Sequence, residues 1–289
     1  MTVVLPDPEA DRWYKLAVFG FLLRYPEALE AIPPNVPEGL VDEQENFRRL
    51  GWELALLESD LAYCVHELYT AFEALYADPH VLFRKKFAVV YHIDNFNVRV
   101  QKLIDNLYRL AAMVANIEPK PRDANFRTQL KNALSSRGIQ RIHELLGAFE
   151  INKWIKRAKK ARNLFVHMYR DEPEWRKLLG PMERFYESIG GHEDPLAEQI
   201  RQITESDELD RYANRKAHEL LQILDVIRGF RDQLHDAFVA NLVHLASTMS
   251  TEVQEFVRHV TGLYSQDILE DLVEGVEPPL DDVGGSVPG

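Results

Sequence analysis

Apolar residues recur at alternating steps of three and four along most of this chain, the spacing that lays them on one face of an α-helix. From Phe47 the series runs Leu50, Leu54, Leu57, Leu61, Val65, Leu68, Phe72 and Leu75, and Pro79 ends it. A second long helix is expected from about Val81 through Phe96, Val100, Leu103, Leu107, Leu110 and Val114 to the Pro119/Pro121 pair. Shorter helices over 123–135 and 138–148 are separated by the turn-forming string Ser135-Ser136-Arg137-Gly138. A helix over about 150–170 stops at Asp171-Glu172-Pro173, and another over 173–189 stops at Gly190-Gly191. The pattern Leu209, Ala213, Leu220, Leu224, Ile227, Leu234, Phe238, Leu242 and Leu245 predicts one long helix over 206–247 with a weak point at Gly229. A last helix over 250–274 has Ser250 or Thr251 as its N-cap.

No β-branched alternation is long enough for a sheet, and no internal repeat stands out. Long helices joined by short turns predict an all-α, antiparallel helical bundle with additional long helices at its C-terminal end. The expected organisation is an N-terminal segment with one short apolar helix over 1–40 and a helical core over 41–172. A helical extension over 173–275 packs on that core, and residues 276–289, rich in Pro and Gly, form a disordered tail.

The apolar run from Trp13 to Leu23 is interrupted by Lys15 and preceded by Asp7, Glu9 and Asp11, where a signal peptide would be positive. It is about half the ~20 residues a bilayer span needs, so it reads as a core helix. The single cysteine, Cys64, cannot close an internal disulfide, and a cytoplasmic location without membrane contact is expected. Net charge is −12, which argues against coating nucleic acid through general electrostatics. The distribution matters more. Residues 151–170 hold Lys153, Lys156, Arg157, Lys159, Lys160, Arg162 and Arg170 and no acid, so a +7 island sits in a chain that is otherwise −19.

Several chemistries have no foothold. There is neither a GxxxxGK[ST] phosphate loop nor a GxGxxG turn. One cysteine precludes a CxxC zinc site, HExxH is missing, and the paired ExxH of a helical di-iron centre is not completed. No metal and no cofactor are expected.

Cutting RNA without a metal requires a group to move the ribose 2′-hydroxyl proton, an acid for the leaving 5′-oxygen and a cation for the phosphate between them. Histidine suits the first two roles and arginine, with its planar fork, the third. Arginine followed by four to six residues and histidine occurs as Arg137/His143, Arg162/His167, Arg211/His218 and Arg228/His235. Only Arg162 is followed by Asn, and only Arg162 lies in the basic island. On a helical wheel Trp154, Ala158, Ala161, Phe165 and Met168 form one apolar face. His167 falls far from it, beside Asn163, Lys156, Lys160 and Arg170. Arg162 lies between the faces, about 140° from His167.

The string Arg162-Asn163-Leu164-Phe165-Val166-His167 resembles the Arg-x4-6-His motif of HEPN ribonucleases, all-helical proteins that carry it on a late core helix. Tyr91-His92-Ile93-Asp94-Asn95-Phe96-Asn97-Val98-Arg99-Val100 is similar to an earlier core helix of bacterial members. The resemblance covers about residues 45–170. It implies a HEPN-like core and an endoribonuclease in a toxin or anti-phage defence role, cutting RNA such as tRNA or mRNA. His167 would be acid and base, Arg162 would hold the phosphate, and Asn163 would orient His167 or bind substrate. It also implies a homodimer in which both motifs converge on a shared cleft, and an antitoxin or defence-system protein as partner.

Lys156, Lys159, Lys160 and Arg170 are the candidate RNA-guiding cations. His92, Asn95, Arg99 and Asn106 form a second stripe, with His92 and Arg99 as substrate-binding candidates and interhelical hydrogen bonding as the plainer account. Two readings from other classes stay open. One is a HEPN-like module that binds a nucleotide or a protein and cuts nothing. The other is a helical scaffold subunit whose basic helix docks an acidic partner.

Overall fold

The computed structural model describes residues 8–31, 36–70, 79–118, 125–168 and 208–274, and among these the chain is helical with no strand. Its α-helices are α1 (Pro8–Arg24), α2 (Val41–Thr70), α3 (Pro79–Ala115), α4 (Phe126–Ser136), α5 (Gln140–Ile151), α6 (Lys153–Met168), α7 (Glu208–Ala246) and α8 (Thr251–Glu274). The all-α expectation therefore holds, and α7 runs through Gly229 without a break. The helix expected over 173–189 and the tail over 276–289 lie outside the described residues, as do Phe72 and Leu75.

Local chemistry sets the helix ends. Pro79 opens α3, where a missing N–H costs nothing. At the end of α4, Gly138 takes φ +72°, a left-handed conformation that glycine adopts without Cβ strain. The Gly138 N–H then donates to the Ser135 carbonyl at 3.0 Å and the Ile139 N–H to the Leu134 carbonyl at 3.0 Å. Ile139 and Leu134 are both buried, giving this stop its apolar clasp. Ser250 caps α8, its hydroxyl accepting from the Val253 N–H at 3.5 Å.

One boundary differs from the expectation. The basic helix does not begin at 150, because Glu150 and Ile151 finish α5 and the chain turns at Asn152. Asn152 Oδ1 accepts the Trp154 N–H at 2.9 Å and caps α6. The turn separates two helices whose apolar patterns otherwise run into one another.

The apolar helix at the N-terminus is central to the core. α1 packs on α2, α3 and α7, and α7 packs also on α2, α5 and α6. A Cβ at Gly51 would lie 2.8 Å from Ala17 Cβ and 2.9 Å from Tyr14 Cα, so α1 and α2 cross at a distance only glycine permits. Around the crossing Trp13, Leu16, Phe21, Phe47, Leu50 and Leu54 are almost fully buried. Each such large side chain contributes roughly 1.5–3 kcal/mol of transfer free energy. Buried residues from Trp13 to Val257 form one continuous core. None of the described helices is long and apolar enough to cross a membrane.

A charged group lies inside this core. Glu58 of α2 is only 4% exposed and Arg231 of α7 only 2%. Arg231 Nη1 donates to Glu58 Oε1 at 2.6 Å, Arg228 Nε donates to the same oxygen at 3.3 Å, and Trp13 Nε1 donates to Glu58 Oε2. Arg231 Nε also meets Asp232 Oδ1 at 3.2 Å, and Arg12 Nη1 meets that oxygen at 3.1 Å. One network thus ties α1, α2 and α7.

Removing one side of a buried ion pair strands the other, at a cost of about 3–5 kcal/mol. Arg231→Met is therefore expected to lower the unfolding free energy by about that amount in urea titration. Glu58→Leu combined with Arg231→Met should cost markedly less than the sum of the two single changes, because no charge is then left unpaired.

Candidate active site

The side chains from Lys153 to Asn163 are described, and they place α6 more closely than its sequence pattern does. α6 packs on α3, α5 and α7. Its buried residues are Ile155 and Ala158, with Trp154, Lys159, Ala161 and Arg162 half-buried. Of the expected face, Ala158 is buried and Trp154 and Ala161 are half-buried, while Phe165 and Met168 have side chains outside the described residues. The inward face runs along Ile155, Ala158 and Arg162, steps of three and four that the sequence does contain. Arg162 lies on the inward side of the helix.

A buried carboxylate lies beside that face. Glu150 accepts from Arg127 Nη2 at 2.8 Å and from Lys159 Nζ at 3.1 Å, both at Oε1. Tyr108 of α3 hydrogen-bonds the same carboxylate. Burial pushes the Glu150 pKa up, but the bonds from Lys159 and Tyr108, with the charges of Lys159 and Arg127, outweigh it and hold the pKa below the ordinary range. Burial, with the nearby Glu150 charge, raises the Tyr108 pKa far above its usual value. Lys159 thus serves as a strut between α6 and the end of α5.

The rest of the basic island divides in the same way. Arg157 pairs with Glu219 of α7 at 3.2 Å, and its guanidinium lies 5.8 Å from the Trp154 ring. Lys153 lies 5.2 Å from that ring. Lys156 and Lys160 are exposed, and neither is paired with an acid among the described residues.

Arg162 is held by its neighbour: Nη1 donates to Asn163 Oδ1 at 3.1 Å. Its Nε is buried and has no hydrogen-bond partner among the described residues. Asn163 thus engages Arg162, and its expected part in orienting His167 or binding substrate falls, with the His167 side chain, outside the described residues. α6 continues through Met168, so position 167 stands on the helix about 140° around the axis from Arg162. The His167 side chain and all of Arg170 lie outside the described residues.

The second stripe faces elsewhere. Asn95 Nδ2 approaches Cys64 Sγ at 3.5 Å, Arg99 Nη1 meets Asp60 Oδ2 at 2.7 Å, and Asn106 Nδ2 donates to Glu53 at 3.3 Å. All three bonds join α3 to α2, the plainer account of this stripe. His92 is half-buried with its Nδ1 unpartnered among the described residues, and burial holds its pKa below the usual value. No described contact links His92 or Arg99 to Arg162.

Over residues 81–228, half of the chain, the sequence matches the family model described as Cthe2314-like HEPN. The chain belongs to this HEPN family. No curated protein and no solved structure matches it. The HEPN match takes in most of α3, all of α4 to α6 and the first half of α7. The Arg162 motif and the Glu150 strut therefore both belong to the HEPN segment.

Two changes separate strut from surface. Lys159→Gln is expected to destabilise the HEPN core by about 1–2 kcal/mol by uncovering Glu150, whereas Lys160→Gln should stay within about 0.5 kcal/mol of the unaltered protein. The depressed Glu150 pKa also sets a sign with pH. Its contribution is fully present above the ordinary carboxylate value of 4.5 and is lost as pH falls through the lower folded value. Urea titrations from pH 6 down to about pH 3 should show a smaller loss of stability in Glu150→Gln than in the unaltered chain.

Proposed function

We propose that this HEPN protein is a metal-independent endoribonuclease with its active centre on α6. The observation that carries the reading is Arg162: inside a family-matched segment, its guanidinium is drawn half out of water, clasped by Asn163 and left with an unpartnered Nε. A guanidinium edge in that state gains more from a phosphate than a fully hydrated one. Arg162 would bind the scissile phosphate and stabilise the charge that builds on it. His167 would take the 2′-hydroxyl proton as the 2′-oxygen attacks phosphorus, and a histidine would return a proton to the departing 5′-oxygen. The products are a 2′,3′-cyclic phosphate and a 5′-hydroxyl. Lys156, Lys160 and Arg170 would draw the RNA in, with single-stranded or looped RNA the accessible form. Lys159, His92 and Arg99 are left to structure. The toxin or anti-phage role and an antitoxin or defence partner follow from the family resemblance.

General acid and general base are two roles, and each motif offers one histidine. A second chain bringing its own α6 to the cleft supplies the other. A rival reading, a HEPN module that binds a nucleotide or a protein without cutting it, is favoured by the partial neutralisation of the island through Glu150 and Glu219.

Purified protein is expected to cut single-stranded RNA in EDTA and leave 2′,3′-cyclic ends. His167→Ala and Arg162→Ala, each still helical by circular dichroism, should slow cleavage by roughly 10²-fold or more. Mixing the two inactive variants should restore part of the activity through a shared cleft. A folded His167→Ala protein that cuts at the full rate would rule the assignment out. RNA or nucleotide binding without cleavage would establish the rival.

A further inference from the structure

The outer face of α2 carries large apolar side chains that the fold does not use. Trp52 is 46% exposed, Leu56 49% and Tyr63 54%, on a helix whose opposite face is among the most buried in the protein. With Glu45, Arg49, Ser59 and His66, all exposed, they fall at alternating steps of four and three: 45, 49, 52, 56, 59, 63, 66. That is the a/d spacing of a coiled-coil seam, and it faces solvent. His92 extends the patch onto α3, its ring meeting Tyr63 and the exposed Tyr91 edge-on at 5.9 and 5.3 Å. The nearby acids Glu53 and Asp60 turn away from the seam, toward Asn106 and Arg99 of α3.

The order of residues along this seam identifies the occupant. In an antiparallel helix pair with two-fold symmetry, residues equally far from the axis oppose each other. Placed between positions 57 and 58, the axis sets Leu56 against Ser59 and Trp52 against Tyr63. The small serine leaves room for the leucine, and the two aromatic rings close each end of the apolar stretch. Just outside them, Arg49 comes within one residue of level with Glu67. These two lie eighteen residues apart, five full turns of helix, so they stand on the same flank of the seam. A two-fold antiparallel pair brings like flanks together, which sets each Arg49 beside the other copy's Glu67.

A parallel pairing would instead set Arg49 on Arg49 and Glu67 on Glu67. Within one chain the two are about 27 Å apart along α2, too far to pair with each other. Arg49 meets the Asn46 amide oxygen at 3.2 Å, and Glu67 accepts a hydrogen bond from Tyr63. Neither is in an ion pair among the described residues.

We propose that two copies of this chain associate through an antiparallel α2–α2 seam centred between Leu56 and Ser59, with Trp52 on Tyr63 and reciprocal Arg49–Glu67 ion pairs. α2 precedes residue 81 and so lies outside the HEPN match. The interface goes beyond the cleavage reading and needs nothing from Arg162 or His167.

Sedimentation equilibrium of the full chain, with circular dichroism on each variant, tests the seam. The unaltered chain is expected to be a dimer at micromolar concentration, and Leu56→Asp a monomer. Arg49→Glu and Glu67→Arg each place like charges at both ends of the seam and should weaken self-association at least about tenfold. Mixed one to one, these two variants should associate nearly as tightly as the unaltered chain, because a heterodimer restores both ion pairs. If either single variant fails to fold, the double variant R49E/E67R decides the matter, since it restores the pairs in a homodimer. An unaltered chain that stays monomeric, a dimer indifferent to the single changes, or variants that do not rescue each other would each overturn the seam. His167→Ala should leave every one of these results unchanged, so loss of cleavage and loss of association are read separately.

Discussion

The arrangement of this molecule depends on a carboxylate that has been taken out of water. Glu58 lies where the N-terminal helix, α2 and α7 meet, and it is tolerable there because Arg231, Arg228 and Trp13 donate to it. Apolar packing alone would let these long helices slide or rotate by small steps at little cost. A buried charge does not allow that, since a shift of a few ångströms would leave it unsolvated. The ion pair therefore fixes the register of α2 against α7, and the glycine-mediated contact at Gly51 fixes the height of α1 between them.

The same device recurs at smaller scale beside the candidate site. Glu150 collects Arg127, Lys159 and Tyr108 from three other helices, and the turn at Asn152 brings it within reach of α6. That contact ties α6 to the end of α5, and Arg162 sits on the inward side of the same helix. The basic island is thus a composite: some cations hold the helix in place, and others are left at the surface to meet an anion. The count of positive charges overstates what a ligand would meet, because Arg157 and Lys159 are already matched by Glu219 and Glu150.

The helices themselves were legible because their information is local. Three-four periodicity, Pro79, Gly138 and Ser250 each act within a turn or two, and α3, α4, α7 and α8 lie close to where these signals put them. What was not legible depends on distant partners. Nothing near Glu58 in the sequence marks it as buried, since its partner Arg231 lies 173 positions away. The wheel for α6 put Trp154, Ala158 and Ala161 on one face, and Ala158 is buried as expected, but nothing in it marked Ile155, which is buried beside Ala158. The Arg162–Asn163 pair was legible as a motif, and the second stripe was legible as interhelical bonding. The inward turn of Arg162 was not, because it follows from how α6 packs on α3, α5 and α7.

The position of α1 bears on how the chain comes to be folded. This helix is the first described element to leave the ribosome, yet Arg12 meets Asp232 across 220 positions, and Gly20 lies against Val114 of α3 and Phe238 of α7. Its apolar face stays without a large part of its final cover until α7 has been made. Contacts that span the chain this widely slow folding, because a long loop must close before they form. During vectorial synthesis a helix made before its partner must wait for it. Until then Trp13 and Phe21 already have Glu58 and Phe47 of α2 beside them, whereas Phe19 and Gly20, which meet His235 and Phe238 of α7, stay open to water on that side.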